Sequence, residues 1–130
     1  SQDEAYEGLF DFIAEAESAS ENYDVGARYM QQELWGKAIE RLDRALSADP
    51  AMGDAYNSKG VALAQQGDLE GAIEMFQRAG EFMPENAGVR LNLAIIRYLQ
   101  GRRHEAAVIY RQVIEMDSRY EGFLDILAAE

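Results

Sequence analysis

Three stretches of this chain carry the same punctuation at an interval of 34 residues, and that period leaves few folds open. Gly26, Gly60 and Ala94 fall in one register position, and Ala38, Ala72 and Ala106 in another. Ala45, Ala79 and Val113 form a third set, and Leu42, Phe76 and Tyr110 a fourth. Pro50 and Pro84 match, with Ser118 where a third proline would stand. The fullest copy, residues 53–86, reads as two short helices joined by Gly67–Asp68 and closed by Pro84. Small residues let two antiparallel helices approach closely and the Leu/Phe/Tyr position fills the gap between them. Proline ends the second helix because it has no N–H and clashes with the preceding turn.

The same punctuation sets the helices. It predicts pairs over 20–32 and 35–48, 53–66 and 69–82, and 87–100 and 103–116. Asp49–Pro50 stops the first pair, Gly67–Asp68 supplies turn and N-cap in the second, and Gly101 turns the third. The chain therefore divides into 1–18, three repeats at 19–52, 53–86 and 87–120, and a remainder at 121–130.

The flanks differ from the repeats. Over residues 3–17, Ala5, Leu9, Phe12, Ile13 and Ala16 share a helical arc with Tyr6 and Phe10, while Asp3, Glu4, Glu7, Asp11 and Glu15 lie opposite or at its borders. Glu4 would occupy the repeat's alanine position and Gly8 its aromatic one, so this is not a degenerate fourth copy. Two readings stand: a cap over the first repeat, or an association face of Tyr6, Leu9, Phe10, Phe12 and Ile13 that docks on a neighbour or on a second copy. Ser18 or Ser20 can cap the following helix. At the other end, Phe123, Leu124, Leu127 and Ala128 recur at helical spacing over 120–129 and predict a short apolar helix, either a cap or the opening of a fourth repeat.

These residues resemble the tetratricopeptide repeat family, whose pattern is a large residue, Leu-Gly, Tyr, then Ala, an aromatic and Pro at a 34-residue period. Residues 53–86 supply Tyr56, Gly60, Leu63, Ala72, Phe76, Ala79 and Pro84 at matching offsets. Residues 19–52 supply Gly26, Tyr29, Ala38, Leu42, Ala45 and Pro50, and residues 87–120 supply Leu93, Ala94, Ala106, Tyr110 and Val113. Lys59 departs from the usual leucine, Asn22 and Arg90 from a large apolar residue, and Arg97 from tyrosine. The resemblance implies an all-α fold, a right-handed superhelical α-solenoid of antiparallel helix pairs, with three repeats between N-terminal and C-terminal capping helices. It also implies that Trp35 wedges the second helix of its repeat against the first.

The resemblance further implies a concave groove lined by the first helix of each repeat. Its positions are Tyr23, Ala27, Met30 and Gln31; Asp54, Asn57, Ser58, Val61, Ala64 and Gln65; and Leu91, Asn92, Ile95, Tyr98 and Leu99. Asn57 and Asn92 carry donors and an acceptor suited to a peptide backbone, and Met30, Val61, Leu91, Ile95, Tyr98 and Leu99 offer an apolar floor. One subclass of the family grips acidic tails with Lys, Asn and Arg. The corresponding positions here are Tyr23, Ala27, Ser58, Gly88 and Asn92, of which only Asn92 fits.

Charge and composition narrow the function classes. The first 24 residues contain eight acids and no Lys or Arg, so they carry −8; the remaining 106 carry 12 − 16, or −4, for the total of −12. A nucleic acid or an anionic membrane surface is disfavoured as partner, since both want basic protein. No apolar run approaches the length of a membrane span. Zero cysteines exclude disulfides and thiolate chemistry. His104, the only histidine, reads as a solvated helix residue without a second ligand to share a metal. No phosphate loop and no nucleophile–base set is present, so the sequence predicts neither an enzyme nor a cofactor. It predicts a scaffold that takes an apolar, neutral-to-basic peptide of a partner protein into the groove and assists assembly. The alternatives are a homodimer built through the N-terminal helix, or the repeat portion of a larger protein that positions another domain. Ten Arg against two Lys suggests a bacterial or archaeal source, and cytoplasm over periplasm.

Overall fold

The computed structural model describes residues 19–122. Helix α1 runs from the first described residue through 31. It is followed by α2 (Trp35–Ala48), α3 (Gly53–Gln65), α4 (Leu69–Phe82), α5 (Ala87–Leu99), α6 (Arg103–Met116) and a 3-10 turn, Ser118–Tyr120. No strand occurs among the described residues. Helix α3 packs on α4 and α5 on α6 within a repeat, and α2 on α3 and α4 on α5 between repeats.

The turns inside each pair are built by one device. Gly67 and Gly101 lie at φ 87° and 80°, the left-handed region that glycine enters without steric cost. The residue after each glycine then closes the helix end: Asp68 N–H donates to the Leu63 carbonyl and Arg102 N–H to the Arg97 carbonyl, both at 2.9 Å. In the first repeat the same position is Glu33, at φ 59°, with Leu34 N–H on the Tyr29 carbonyl at 2.9 Å. The next helices start from side-chain caps in two cases. Asp68 accepts from Gly71 N–H at 2.9 Å, as the sequence predicts, and Asn86 accepts from Val89 N–H at 3.2 Å.

The register sets the core. Ala38, Leu42 and Ala45 are buried in α2, Ala72, Ile73, Phe76 and Ala79 in α4, and Ala106, Ala107, Tyr110 and Val113 in α6. Each of the large residues in this series faces a small one on the preceding helix. A Cβ at Gly60 would lie 2.6 Å from the Phe76 ring, and one at Gly26 would lie 3.1 Å from the Leu42 side chain. The Tyr110 hydroxyl donates to the Tyr120 carbonyl at 2.7 Å, which ties the 3-10 turn back to α6.

The residues that depart from the family pattern form polar contacts between helices. Lys59 pairs with Asp43 of α2 at 2.7 Å. Arg41 Nη1 donates to Asn22 Oδ1 at 3.3 Å, Arg90 Nη1 to Gln112 Oε1 at 3.1 Å, and Arg97 sits 3.8 Å from Glu105.

Three expectations need adjustment. Trp35 opens α2 but is half-buried and is not part of the buried core. Helices α3 and α5 each stop one residue before the expected boundary. No α-helix begins at 120: Asp117 caps a 3-10 turn, Glu121 is extended, and Gly122 turns left-handed at φ 84°. The predicted helix over 3–17 and the apolar residues from Phe123 onward lie outside the described residues.

Two stability outcomes follow from this packing. Gly60→Ala adds a methyl 2.6 Å from a ring edge, which must shift to admit it. The overpacking penalty of roughly 1–3 kcal/mol exceeds the gain of about 1 kcal/mol from removing a glycine from a helix interior. Gly26→Ala meets the buried Leu42 side chain at 3.1 Å and the Ala38 carbonyl at 3.5 Å, so Leu42 need give only a few tenths of an ångström and the cost should be smaller than at Gly60. Urea unfolding of the two variants should therefore separate them, and equal midpoints would contradict the tighter approach at Gly60. Glu33→Gly relieves a left-handed non-glycine and should raise stability by about 1 kcal/mol; an unchanged or lower midpoint would count against strain at that turn.

Candidate peptide-binding groove

Which face is concave follows from the contacts. Helices α3 and α5 approach one another directly, whereas α4 and α6 do not, so the row of first helices lies on the inside of the curve. Between α3 and α5 this inner face holds a depression of about 300 Å³ lined by Val61, Ala64, Gln65, Asn92, Ile95, Leu99, Phe76 and Ile96. None of these side chains is ionisable. At one side Asn92 Nδ2 donates to Asn57 Oδ1 at 2.9 Å, joining α3 to α5. That bond uses one donor of Asn92 and one lone pair of Asn57; by the chemistry of the amide, each residue has further donor and acceptor capacity.

The spacing of the lining explains why the helices present it. Val61, Ala64 and Gln65 lie at i, i+3 and i+4 on α3, and Asn92, Ile95, Ile96 and Leu99 at i, i+3, i+4 and i+7 on α5, so each set forms one stripe. Val61 and Ala64 are also packed against the Phe76 cluster, and Ile95 against the Tyr110 cluster. Their inner sides are thereby fixed while an outer edge is left to the depression. Leu99 is held least and is 59% exposed, the most exposed large apolar residue among those described.

Of the residues expected in the groove, Val61, Ala64, Gln65, Asn92, Ile95 and Leu99 meet in this depression, with Asn57 bonded to its rim. Tyr23, Ala27 and Met30 are half-buried on α1 and Gln31 is exposed, none of them lining it. Asp54 is exposed and Ser58 half-buried on α3, also outside its lining. Tyr98 packs in part on the Tyr110 cluster, with the Arg103 guanidinium over its ring at 5.4 Å. Leu91, at 5% exposure, belongs to the buried cluster of Ala87, Ala94, Ala106, Tyr110 and Val113 and lies outside the lining of this depression. Phe76 and Ile96 are additions. Phe76 was legible only as a packing residue, and Ile96 stands in the i+4 row from Asn92, which the register positions did not include. The association face of Tyr6, Leu9, Phe10, Phe12 and Ile13 lies outside the described residues.

No group of three or more His, Asp or Glu side chains among the described residues could hold a metal. His104 is exposed. No helix of the described residues is long and apolar enough to cross a membrane.

A second cleft, also about 300 Å³, opens between α4 and α5 on the other side of Phe76, lined by Gly80, Met83, Pro84, Val89, Arg90 and Leu93 among others. Gly80 faces open space there, with no atom within 4 Å of a Cβ built on it.

Comparison with known proteins agrees with this architecture. The chain is 30% identical over 107 residues to the lipoprotein NlpI homolog of Haemophilus influenzae, covering 82% of this chain and 34% of that protein. It is 29% identical over 91 residues to the BBSome complex member BBS4 of Bos taurus, covering 70% of this chain and 18% of that protein. The chain thus spans about a third or less of the length of these relatives. Among solved structures, the first TPR of Spaghetti (RPAP3) bound to an HSP90 peptide superposes with a TM-score of 0.80 at 16% identity, covering 88% of this chain and 95% of that one. The TPR2B domain of yeast Sti1 in complex with pHsp70 gives 0.79 at 18% identity, covering 85% and 92%. Two family models described as tetratricopeptide repeat match residues 23–83 and 63–124. With three helix pairs in a 34-residue register and family matches running from residue 23 to 124, the chain belongs to the tetratricopeptide repeat family.

Proposed function

We propose that this chain is a protein-interaction scaffold that takes a peptide segment of a partner along the inner face of its repeats and assists assembly of a complex. The observation that carries this reading is the uncharged depression between α3 and α5, with the Asn57–Asn92 bond on its rim and Leu99 exposed over it. A side chain seated there would be surrounded by Val61, Ala64, Ile95 and Leu99 and would meet no charge. Full burial of one such residue contributes about 1.5–3 kcal/mol. The asparagine amides alongside suit the backbone that carries it.

The HSP90 peptide bound by RPAP3 and the pHsp70 complex of Sti1 support the general mode, since both share the fold. Their ligands do not transfer. Tyr23, Ala27, Ser58 and Gly88 put no cation where the acidic-tail subclass holds one. The partner segment is apolar at its anchor and neutral-to-basic around it, because a net charge of −12 steers basic segments inward. The relative in Haemophilus influenzae is a lipoprotein homolog, which favours a cell-envelope setting over the cytoplasm that composition suggested.

Selection of displayed random peptides against the chain, followed by titration of the winners, tests this directly. Leu99→Asp places a carboxylate at the rim and should weaken binding about tenfold or more. Its unfolding midpoint should change little, because Leu99 is already mostly in water. Val108→Asp alters an equally apolar, 41% exposed residue on α6 and should leave binding intact. Equal affinity of the parent chain and Leu99→Asp for every selected peptide would end the groove reading.

A further inference from the structure

The ring of Phe76 is a wall common to two cavities. It lines the depression between α3 and α5 and also the cleft between α4 and α5, each about 300 Å³. Both are open to solvent, and Phe76 is a buried residue that reaches the wall of each. Protein interiors are packed close to crystal density, and a side chain facing a void forfeits the dispersion contacts that would hold it there. Phe76 is 3% exposed, so it belongs to the core by burial. One edge is pressed against Gly60, and the ring also contributes to the walls of both depressions.

The first repeat shows how the outer cleft arises. The residue in register with Gly80 is Leu46, and the residue in register with Arg90 is Tyr56. Tyr56 lies stacked on Phe82 with ring centroids 5.8 Å apart and donates to the Pro50 carbonyl at 3.0 Å. In the next repeat, glycine replaces the leucine, and the arginine turns its guanidinium to Gln112 of α6. Gly80 and Arg90 both line the cleft beside Phe76. The residues that line the space behind the ring therefore differ from those in register in the first repeat.

We infer that Phe76 is a movable partition between the groove and the outer cleft, so that the depth of the groove depends on whether the cleft behind it is empty. A large side chain entering between Ile95 and Val61 displaces the ring toward Gly80; with that space filled, the ring cannot retreat and the groove admits only smaller side chains. This rests on the groove reading above for its biological meaning, while the coupling itself is a property of the two cavities.

Indole serves as the probe, followed by methyl NMR at Val61 and Ile95 on the inner side and Val89 and Leu93 on the outer side. Gly80→Leu restores the bulk that Leu46 supplies in the first repeat. It should shift the inner methyl resonances without touching them and should weaken indole binding in the groove about fivefold. Phe76→Leu, the residue of the first repeat at this position, should abolish that dependence, so that adding Gly80→Leu no longer changes inner-side affinity. Phe76→Met takes its place in the cycle if the leucine variant melts below the working temperature. Additive effects of the Gly80 and Phe76 changes would overturn the inference. So would a total absence of indole-induced shifts, since a depression of this size that admits no ring gives Phe76 nothing to respond to. Failure to find any groove peptide would instead remove the proposed function and leave this cycle readable.

Discussion

The approach of a glycine to an aromatic ring, Gly60 against Phe76, is the constraint on which the middle of the structure depends. With no Cβ on one side and a full ring on the other, α3 and α4 close to a distance that a pair of medium side chains would not permit. That closeness puts Phe76 deep enough to meet Val89 and Ile96 of the following repeat. The ring therefore joins two interfaces: the one inside its own repeat and the one to the next. Because α3 and α5 are both registered on α4, the inner helices come close enough for Asn57 and Asn92 to bond. The groove rim is in this sense a product of the core.

Polar contacts do a second job at the seams. Lys59, Asn22, Arg90 and Arg97 each stand where the family pattern favours an apolar residue or tyrosine, and each finds a partner across helices or, for Arg97, also in Gln100 at 3.2 Å. Such part-exposed pairs add little net stability. Their consequence is geometric. An ammonium reaching Asp43 at 2.7 Å with 22% of its side chain exposed orients one helix on the next, where an apolar residue would only fill space.

Much of the architecture was legible because its signals are local. Gly67, Asp68, Pro84 and Gly101 state where helices stop and start through backbone chemistry that needs no tertiary partner. The same turn in the first repeat carries Glu33, and the flanking helices impose the left-handed geometry on it all the same. The groove was legible in part. Register fixes where a Cα lies but leaves open whether its side chain finds room inside. Asn57 and Leu91 share a register position, yet the asparagine stays half-buried at the rim while the leucine joins the cluster around Tyr110. Apolar volume decides that difference, and volume is a property of neighbours 15 to 22 residues away in the chain. Polar pairs such as Arg90 with Gln112, separated by 22 residues, were hidden for the same reason.

The two cavities beside Phe76 illustrate what a repeat can do that its consensus cannot. A regular array buries the same contacts at every seam, so each interface is equally filled and none is distinguished. Here one seam has lost bulk at Gly80, and the inner face at that seam carries the uncharged depression with the most exposed leucine. Loss of packing costs stability, at about 1 kcal/mol per methyl-sized void. The first repeat shows that the scaffold itself does not require this loss, because it places leucine and tyrosine at the equivalent positions. Where a chain carries leucine in one copy of its repeat and glycine in the next, beside an uncharged surface depression, the departure is better explained by what that surface does than by what the fold needs.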